Sequence, residues 1–314
     1  MSESRIPNTE YILITGVSGF VGEHMARRLA RRHAKVAGTF LNTPINIPGV
    51  ATVPLDATDP RAVSRLIRDM RPAAVIHCAA QTNTNWCEDY PAEARRAIVD
   101  ATRHLVEAIG ERAPETPLIG FSTDLVFDGE NPPYAEDSPT GPLNVYGRCK
   151  LETEPLILSL PRGMVLRSAL VYGPPSTVRE SFLSWIVRQL VDWNDVALFE
   201  DEWRTLVFMD DLDEACRLLL TQPTADQHGR YNAGGPESVS RLEMGLRLAQ
   251  VFGLPEQPIR PTTRSTVPRG NLRARNVSMT CERLRALGWN PKSFDDGLRE
   301  CFQRWSELRP APTS

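Results

Sequence analysis

Tyr146 and Lys150 stand four residues apart in the string Tyr146-Gly-Arg-Cys-Lys150, so on a helix they share one face. A phenol with its ordinary pKa of about 10 exchanges protons poorly at neutral pH. An ammonium beside it stabilises the phenolate and lowers that value. The phenol can then give a proton to a carbonyl being reduced or take one from an alcohol being oxidised. Twenty-three residues before Tyr146, Leu118-Ile-Gly-Phe-Ser122-Thr123-Asp124 is an apolar run ending in hydroxyls. A hydroxyl of Thr123 or Ser122 placed there would orient the substrate oxygen. Tyr-x-x-x-Lys by itself is a common surface pair, so its chemistry depends on what stands around it.

Gly16-Val-Ser18-Gly19-Phe20-Val21-Gly22 directly follows the apolar run Tyr11–Ile14 and opens a helical stripe of Val21, Met25 and Leu29. Small residues there permit a tight turn, close approach of a pyrophosphate and helix–sheet packing. The phosphates then meet the free N–H groups and positive end of the helix. A site for NAD places an Asp or Glu near the end of the second strand to bond the ribose 2′-OH. Here Val36-Ala-Gly-Thr39-Phe-Leu-Asn42 has no acid, which favours NADP over NAD, although no Arg or Lys in Thr39–Asn42 grips a 2′-phosphate. Arg27, Arg28, Arg31 and Arg32 read as a solvated helix face. Asp56, after the third strand, is a candidate partner for the adenine amine, because Asp59 is the better helix cap.

Elements that could hold these groups alternate along the first half of the chain. Tyr11–Ile14, Lys35–Phe40, Ala51–Leu55, Ala73–Cys78, Leu118–Ser122 and Met164–Leu170 read as strands. Helical stretches separate them, among them Arg61–Met70, Ala92–Ile109 and a helix after Tyr146. The alternation predicts parallel strands and right-handed crossovers, a doubly wound α/β sheet of the Rossmann type. Beyond Gly173-Pro-Pro175 the pattern loosens: Phe182–Trp193 and Asp211–Leu220 read as helices, Thr205–Met209 and Arg230–Ala233 as strands. Residues 1–175 therefore form the dinucleotide domain, with later returns near 205–235. Residues 176–204 and 236–314 form a smaller, mixed and partly α-helical lobe for substrate.

The 314 residues, 41% of them hydrophobic, suffice for one large core with an added lobe. A net charge of −3 leaves no footprint for nucleic acid or an anionic membrane. No apolar run approaches the ~18 residues of a membrane span. Met1–Glu10 is polar and lacks the layout of a secretory leader, so the cytoplasm is the default compartment. Six scattered cysteines without a Cys-x-x-Cys pair read as reduced, packed thiols, and five unpaired histidines offer no metal site.

The chain resembles the extended short-chain dehydrogenase/reductases, and more narrowly the dTDP-4-dehydrorhamnose reductase family. The matching strings are Ile14–Gly22, His77-Cys-Ala-Ala-Gln-Thr-Asn83, Ser122-Thr-Asp-Leu-Val-Phe-Asp128 and Pro142-Leu-Asn-Val-Tyr-Gly-Arg-Cys-Lys150. Leu166–Gly173 and Asn232-Ala-Gly-Gly-Pro236 extend them over nearly the whole chain. The resemblance implies that Thr123, Asp124, Tyr146 and Lys150 carry catalysis. It implies a cofactor held by Gly16, Ser18, Gly19, Phe20, Val21, Gly22, Thr39, Asp56, Ala57, Ala79, Ala80, Gln81, Ser122, Tyr146 and Lys150. It further implies a nucleotide-sugar in the C-terminal lobe, bound through Thr123, Asp124, Trp203 and Arg204, whose 4-keto group is reduced by nicotinamide hydride.

Two positions discriminate within the family. Sugar-nucleotide 4,6-dehydratases carry Thr-Asp-Glu, whereas Leu125 occupies the third position here and cannot transfer a proton. An Asn that usually supports a water relay to the catalytic lysine is replaced by Ile98. Arg204 could pair a phosphate and Trp203 could stack on a base or sugar; Arg167, inside a strand, reads as a structural ion pair. Two alternatives stay open: an epimerase or other carbonyl reductase on the same scaffold, and a non-catalytic subunit like the regulatory β subunit of methionine adenosyltransferase. A homodimer is also left open.

Overall fold

Short apolar runs buried on both faces build the centre of the molecule. The computed structural model describes residues 11–32, 34–221 and 228–308, so Met1–Glu10 and His33 lie outside the described residues. In the first half, β1 (Ile12–Thr15) leads into α1 (Phe20–Arg31), then β2 (Val36–Phe40), β3 (Val50–Pro54), α2 (Pro60–Met70) and β4 (Ala74–His77). Next come α3 (Thr84–Asp89), α4 (Pro91–Arg95), α5 (Ala101–Arg112), β5 (Leu118–Thr123), α6 (Val145–Leu158) and β6 (Gly163–Ser168). Strands lie in the order β11-β6-β5-β4-β1-β2-β3, all parallel, where β11 is Gly229–Ala233. The alternation in the sequence thus yields the doubly wound sheet it predicts. The order in which strands are added across the sheet reverses between β1 and β4, which opens a crevice outside their carboxyl ends where ligands bind in such sheets.

Every residue of β1, β4 and β5 is buried, as parallel strands covered by helices on both faces require. One face packs Ile12, Ile14, Met25, Leu29, Ile76 and Leu212 together. The other packs Leu13, Val63, Ile67, Val75, Leu105 and Ile109. Local chemistry sets the helix starts: Asp59 accepts from the Arg61 and Ala62 N–H groups, and Pro60 follows at the first helical position.

The remaining elements are β7 (Val171–Tyr172), α7 (Phe182–Val191), β8 (Val196–Phe199), β9 (Trp203–Arg204), β10 (Val207–Phe208) and α8 (Met209–Thr221). After β11 follow β12 (Val239–Ser240), α9 (Arg241–Phe252), β13 (Ile259–Thr262), α10 (Glu282–Ala286) and α11 (Phe294–Leu308). Short strand pairs β7–β10, β8–β13 and β9–β12 join this part together. Its own core holds Leu183, Ile186, Leu198, Phe208, Leu248 and Phe294. A capping box of Ser240 and Glu243 starts α9, and Gly253 in the left-handed region ends it.

Three expectations need correction. The single helix over 92–109 contains a π turn at Arg96–Asp100 between α4 and α5. There the Thr102 hydroxyl donates to the Ile98 carbonyl at 2.6 Å, competing for a helix acceptor. The expected strand over 164–170 breaks at Ala169, and its continuation β7 leaves the central sheet to pair β10. The α1 arginines do not form a simple solvated face. Arg27 pairs with Glu23, Arg28 with Asp210 and Asp213, and Arg32 with Asp213, tying α1 to α8.

Candidate active site

Gly16 has φ +74°, and a Cβ on it would lie 2.8 Å from the Ala79 Cα. A Cβ on Gly22 would lie 2.4 Å from the Gly16 carbonyl oxygen. Glycine is therefore required at both, by the left-handed turn and by close approach of β4 and α1. Gly19 begins α1 in an extended conformation without a side-chain cap, leaving first-turn N–H groups of Phe20 and Val21 free for an anion. Ser18 is partly exposed beside them. This cradle, closed to side chains and open to phosphate, fits a dinucleotide.

The flanking positions are more mixed. Thr39 is buried, and its carbonyl accepts from the Val17 N–H at 2.8 Å, while Leu41 beyond it is exposed. Asp56 is exposed, and its carboxylate already accepts from the Thr58 N–H and hydroxyl at 2.8 and 2.7 Å. Those bonds hold its carboxyl below the usual range. Only its second oxygen is left for an adenine amine. The Ala57 carbonyl faces His104 Nδ1 at 3.2 Å. Ala79 donates its N–H to Thr15 Oγ1 at 3.2 Å, Ala80 packs against the cluster around Ile98, and Gln81 Oε1 accepts from the Asn83 N–H.

At the end of β5, the Thr123 hydroxyl donates to Asp124 at 3.1 Å and accepts from the Leu125 N–H, with the Tyr146 phenol beside it. Asn144 caps α6, and Gly147 allows the helix start to approach this turn; a Cβ there would lie 2.3 Å from the Leu125 carbonyl oxygen. Burial and the Asp124 carboxylate raise the Tyr146 phenol well above its ordinary value, with the Thr123 hydroxyl opposing them. The expected lowering by Lys150 is not found. The buried Lys150 ammonium neighbours Cys78 and Glu154, and burial pushes it down to about 8. Tyr146 is therefore a protonated acid in the free molecule. Ser122 also departs from expectation. Its hydroxyl donates at 2.7 Å to buried Glu154, which also forms a bidentate pair with Arg167. Ser122 is thus tied to α6, and the structural ion pair expected of Arg167 is present. Ile98 is buried among Cys87, Ala94, Val99 and Cys149, with Tyr146 packed against that cluster.

Above Leu125, a cavity is lined by Glu88, Asn144, Arg204, Arg241, Arg269 and Arg273. A neighbouring cavity of about 330 Å³ shares Arg241 and Arg273 and adds Phe182, Trp185 and Phe199. Arg204 is not a free phosphate ligand as expected: it donates to Asp124 at 2.9 Å and to Glu202 at 3.1 Å. Trp203 is half-buried with the Arg275 guanidinium over its ring, and it is absent from both linings. Reading the sequence missed Glu202, Arg241, Arg269 and Arg273. No spacing signal links them, because they come from three separate segments.

Against known proteins, the family model described as the RmlD substrate binding domain matches residues 10–307. The chain is 33% identical to methionine adenosyltransferase 2 subunit beta of Bos taurus over 320 residues, 97% of this chain and 92% of that protein. It is 32% identical to dTDP-4-dehydrorhamnose reductase of Streptomyces griseus over 300 residues, 92% of each. Among solved structures it is similar to dTDP-4-dehydrorhamnose reductase of Bacillus anthracis in complex with NADP. That match has a TM-score of 0.82 and 21% identity, covering 94% of this chain and 99% of that one. The chain belongs to the RmlD substrate binding domain family, within the extended short-chain dehydrogenase/reductases.

Proposed function

We propose that the protein reduces a nucleotide-activated 4-keto sugar with NAD(P)H, in the manner of a dTDP-4-dehydrorhamnose reductase. The observation that carries this reading is the placement of the Tyr146 phenol beside the Thr123 hydroxyl, at the sheet edge shared with the Gly16–Gly22 cradle and beneath an arginine-lined cavity. When bound, the nicotinamide supplies a hydride to carbon 4. Gly16, Gly19 and Gly22 would admit its pyrophosphate, and Lys150 would hold its ribose. Thr123 orients the keto oxygen, and Tyr146 gives it the proton that completes the alcohol. Leu125 has no proton to transfer, so elimination of water has no acid at that position. Arg204, Arg241 and Arg273 face the diphosphate, and the Phe182–Trp185–Phe199 cavity takes the base. The end of β2 lacks a carboxylate, which favours NADP over NAD.

Absorbance at 340 nm tests this reading: NADPH oxidation should depend on a dTDP-4-keto sugar and fall by about 10²–10⁴-fold in Tyr146→Phe. Oxidation independent of any nucleotide-sugar would contradict it. A second reading has its own support. Apolar Ile98 stands where a relay amide would help resupply protons, and identity is comparable to a methionine adenosyltransferase β subunit. A non-catalytic subunit would bind NADP and show no turnover on any keto sugar.

A further inference from the structure

Three arginines from separate segments converge on one carboxylate. Glu202 is fully buried and accepts from Arg204 Nη2 at 3.1 Å, Arg241 Nε at 2.9 Å and Arg273 Nε at 2.8 Å. Its backbone carbonyl also takes the Arg241 N–H at 3.0 Å. These guanidiniums line the cavity above Leu125, and two of their nitrogens, Arg241 Nη1 and Arg204 Nε, are buried there without a partner. Unpartnered guanidinium N–H groups are costly to bury unless something anionic answers them. Asp124 takes Arg204 Nη1, so within this cluster two carboxylates answer three guanidiniums, while Glu88 and Arg269 also line the cavity and Arg269 pairs with Asp89. Burial works against ionised Glu202, yet the three arginines hold it ionised.

We propose that Glu202 is the positioning residue of the anion pocket. It acts as an internal counter-ion that fixes the three arginines in the empty protein and aims their remaining N–H groups at an incoming diphosphate. The inference rests on the nucleotide-sugar reading above and adds what pre-assembles its pocket. Because Glu202 satisfies part of each arginine, a small anion gains little there. A ligand must bring a diphosphate held in register by its nucleoside to meet the guanidinium N–H groups that the carboxylate leaves over. The carboxylate thus trades raw anion affinity for selectivity.

The test compares wild type, Glu202→Gln and Glu202→Asp by calorimetric titration with thymidine 5′-diphosphate and by thermal melts with inorganic pyrophosphate. Glu202→Gln should melt lower in buffer, and pyrophosphate should raise its Tm at least twofold more than that of wild type, because the anion replaces the lost charge. Its affinity for thymidine diphosphate should fall about tenfold or more. Glu202→Asp retains the charge and keeps the variant series informative should the glutamine variant not fold. Its pyrophosphate response should match wild type while its diphosphate affinity falls about tenfold. A purely structural Glu202 would lower Tm equally with and without pyrophosphate. That result, or wild-type diphosphate affinity in Glu202→Asp, overturns the proposal alone. Absence of diphosphate binding in wild type would overturn the nucleotide-sugar reading together with it.

Discussion

At the scale of residues, Tyr146 and Lys150 divide the labour differently from a simple phenol–ammonium pair. Tyr146 stays protonated between Asp124 and Thr123, which suits donation to a carbonyl. Lys150 is buried and pushed down to about 8, so its charge is held at a cost in the empty protein. Between about 8 and its ordinary value of 10.5, the unfolded chain binds more protons at this group than the folded one. Stability contributed by this site therefore rises with pH across that window. Lys150→Met should stabilise the cofactor-free protein at pH 7 by on the order of 3 kcal/mol in urea unfolding, while abolishing turnover. A variant that is less stable than wild type would contradict the burial argument. In wild type, affinity for NADPH should fall as pH rises through about 8, as Lys150 loses the charge that favours the ribose hydroxyls. Fluorescence titration across about pH 7–9, an interval bracketing that value by about a unit, checks it.

At the scale of elements, the approach of α6 to the end of β5 decides whether the phenol reaches Thr123. Gly147→Ala would place a methyl 2.3 Å from the Leu125 carbonyl oxygen and push the helix outward. The expected result is a loss of about 1–3 kcal/mol in stability and a fall in kcat that exceeds any rise in KM. Equal kcat in the variant would mean the contact does not position Tyr146. Much of this geometry was legible in the residues themselves. A local string encodes the glycine cradle, because one strand, one turn and one helix make it. Tyr146 and Lys150 fall on one helix for the same reason. Ser122 could not be read correctly, since its capture by Glu154 joins β5 to α6 across 32 positions. Nor could the π turn, which follows from a Thr102 hydroxyl bond and leaves no apolar period to detect. The arginine cluster needs β9, α9 and the chain at Arg273 brought together, which only the tertiary fold does.

At the scale of the molecule, α1, α8 and α11 are joined by ion pairs centred on Asp210. Burial disfavours its charge, but hydrogen bonds from His24 and Arg304 and the charge of Arg28 outweigh that and lower its pKa. This contribution to stability is complete above the unfolded value of 3.8 and drains away as pH falls below it. Asp210→Ala removes the shared acceptor of His24, Arg28 and Arg304 across α1, α8 and α11 while Asp213 and Glu300 still answer the two arginines, and should cost about 1–3 kcal/mol in urea unfolding. Excess NADP should recover part of the loss by binding the folded α1 turn. No recovery on NADP binding would separate this hub from the cofactor helix.

Isotope transfer tests the central claim most directly. Protein is incubated with NADPH carrying deuterium at the transferable nicotinamide position and a dTDP-4-keto sugar, and the product is analysed by mass spectrometry and NMR. The account predicts one deuterium on carbon 4 of the sugar for each NADP⁺ formed, and none with Tyr146→Phe. Binding of both ligands without label transfer, or a sugar epimerised while the cofactor pool stays unchanged, would contradict it.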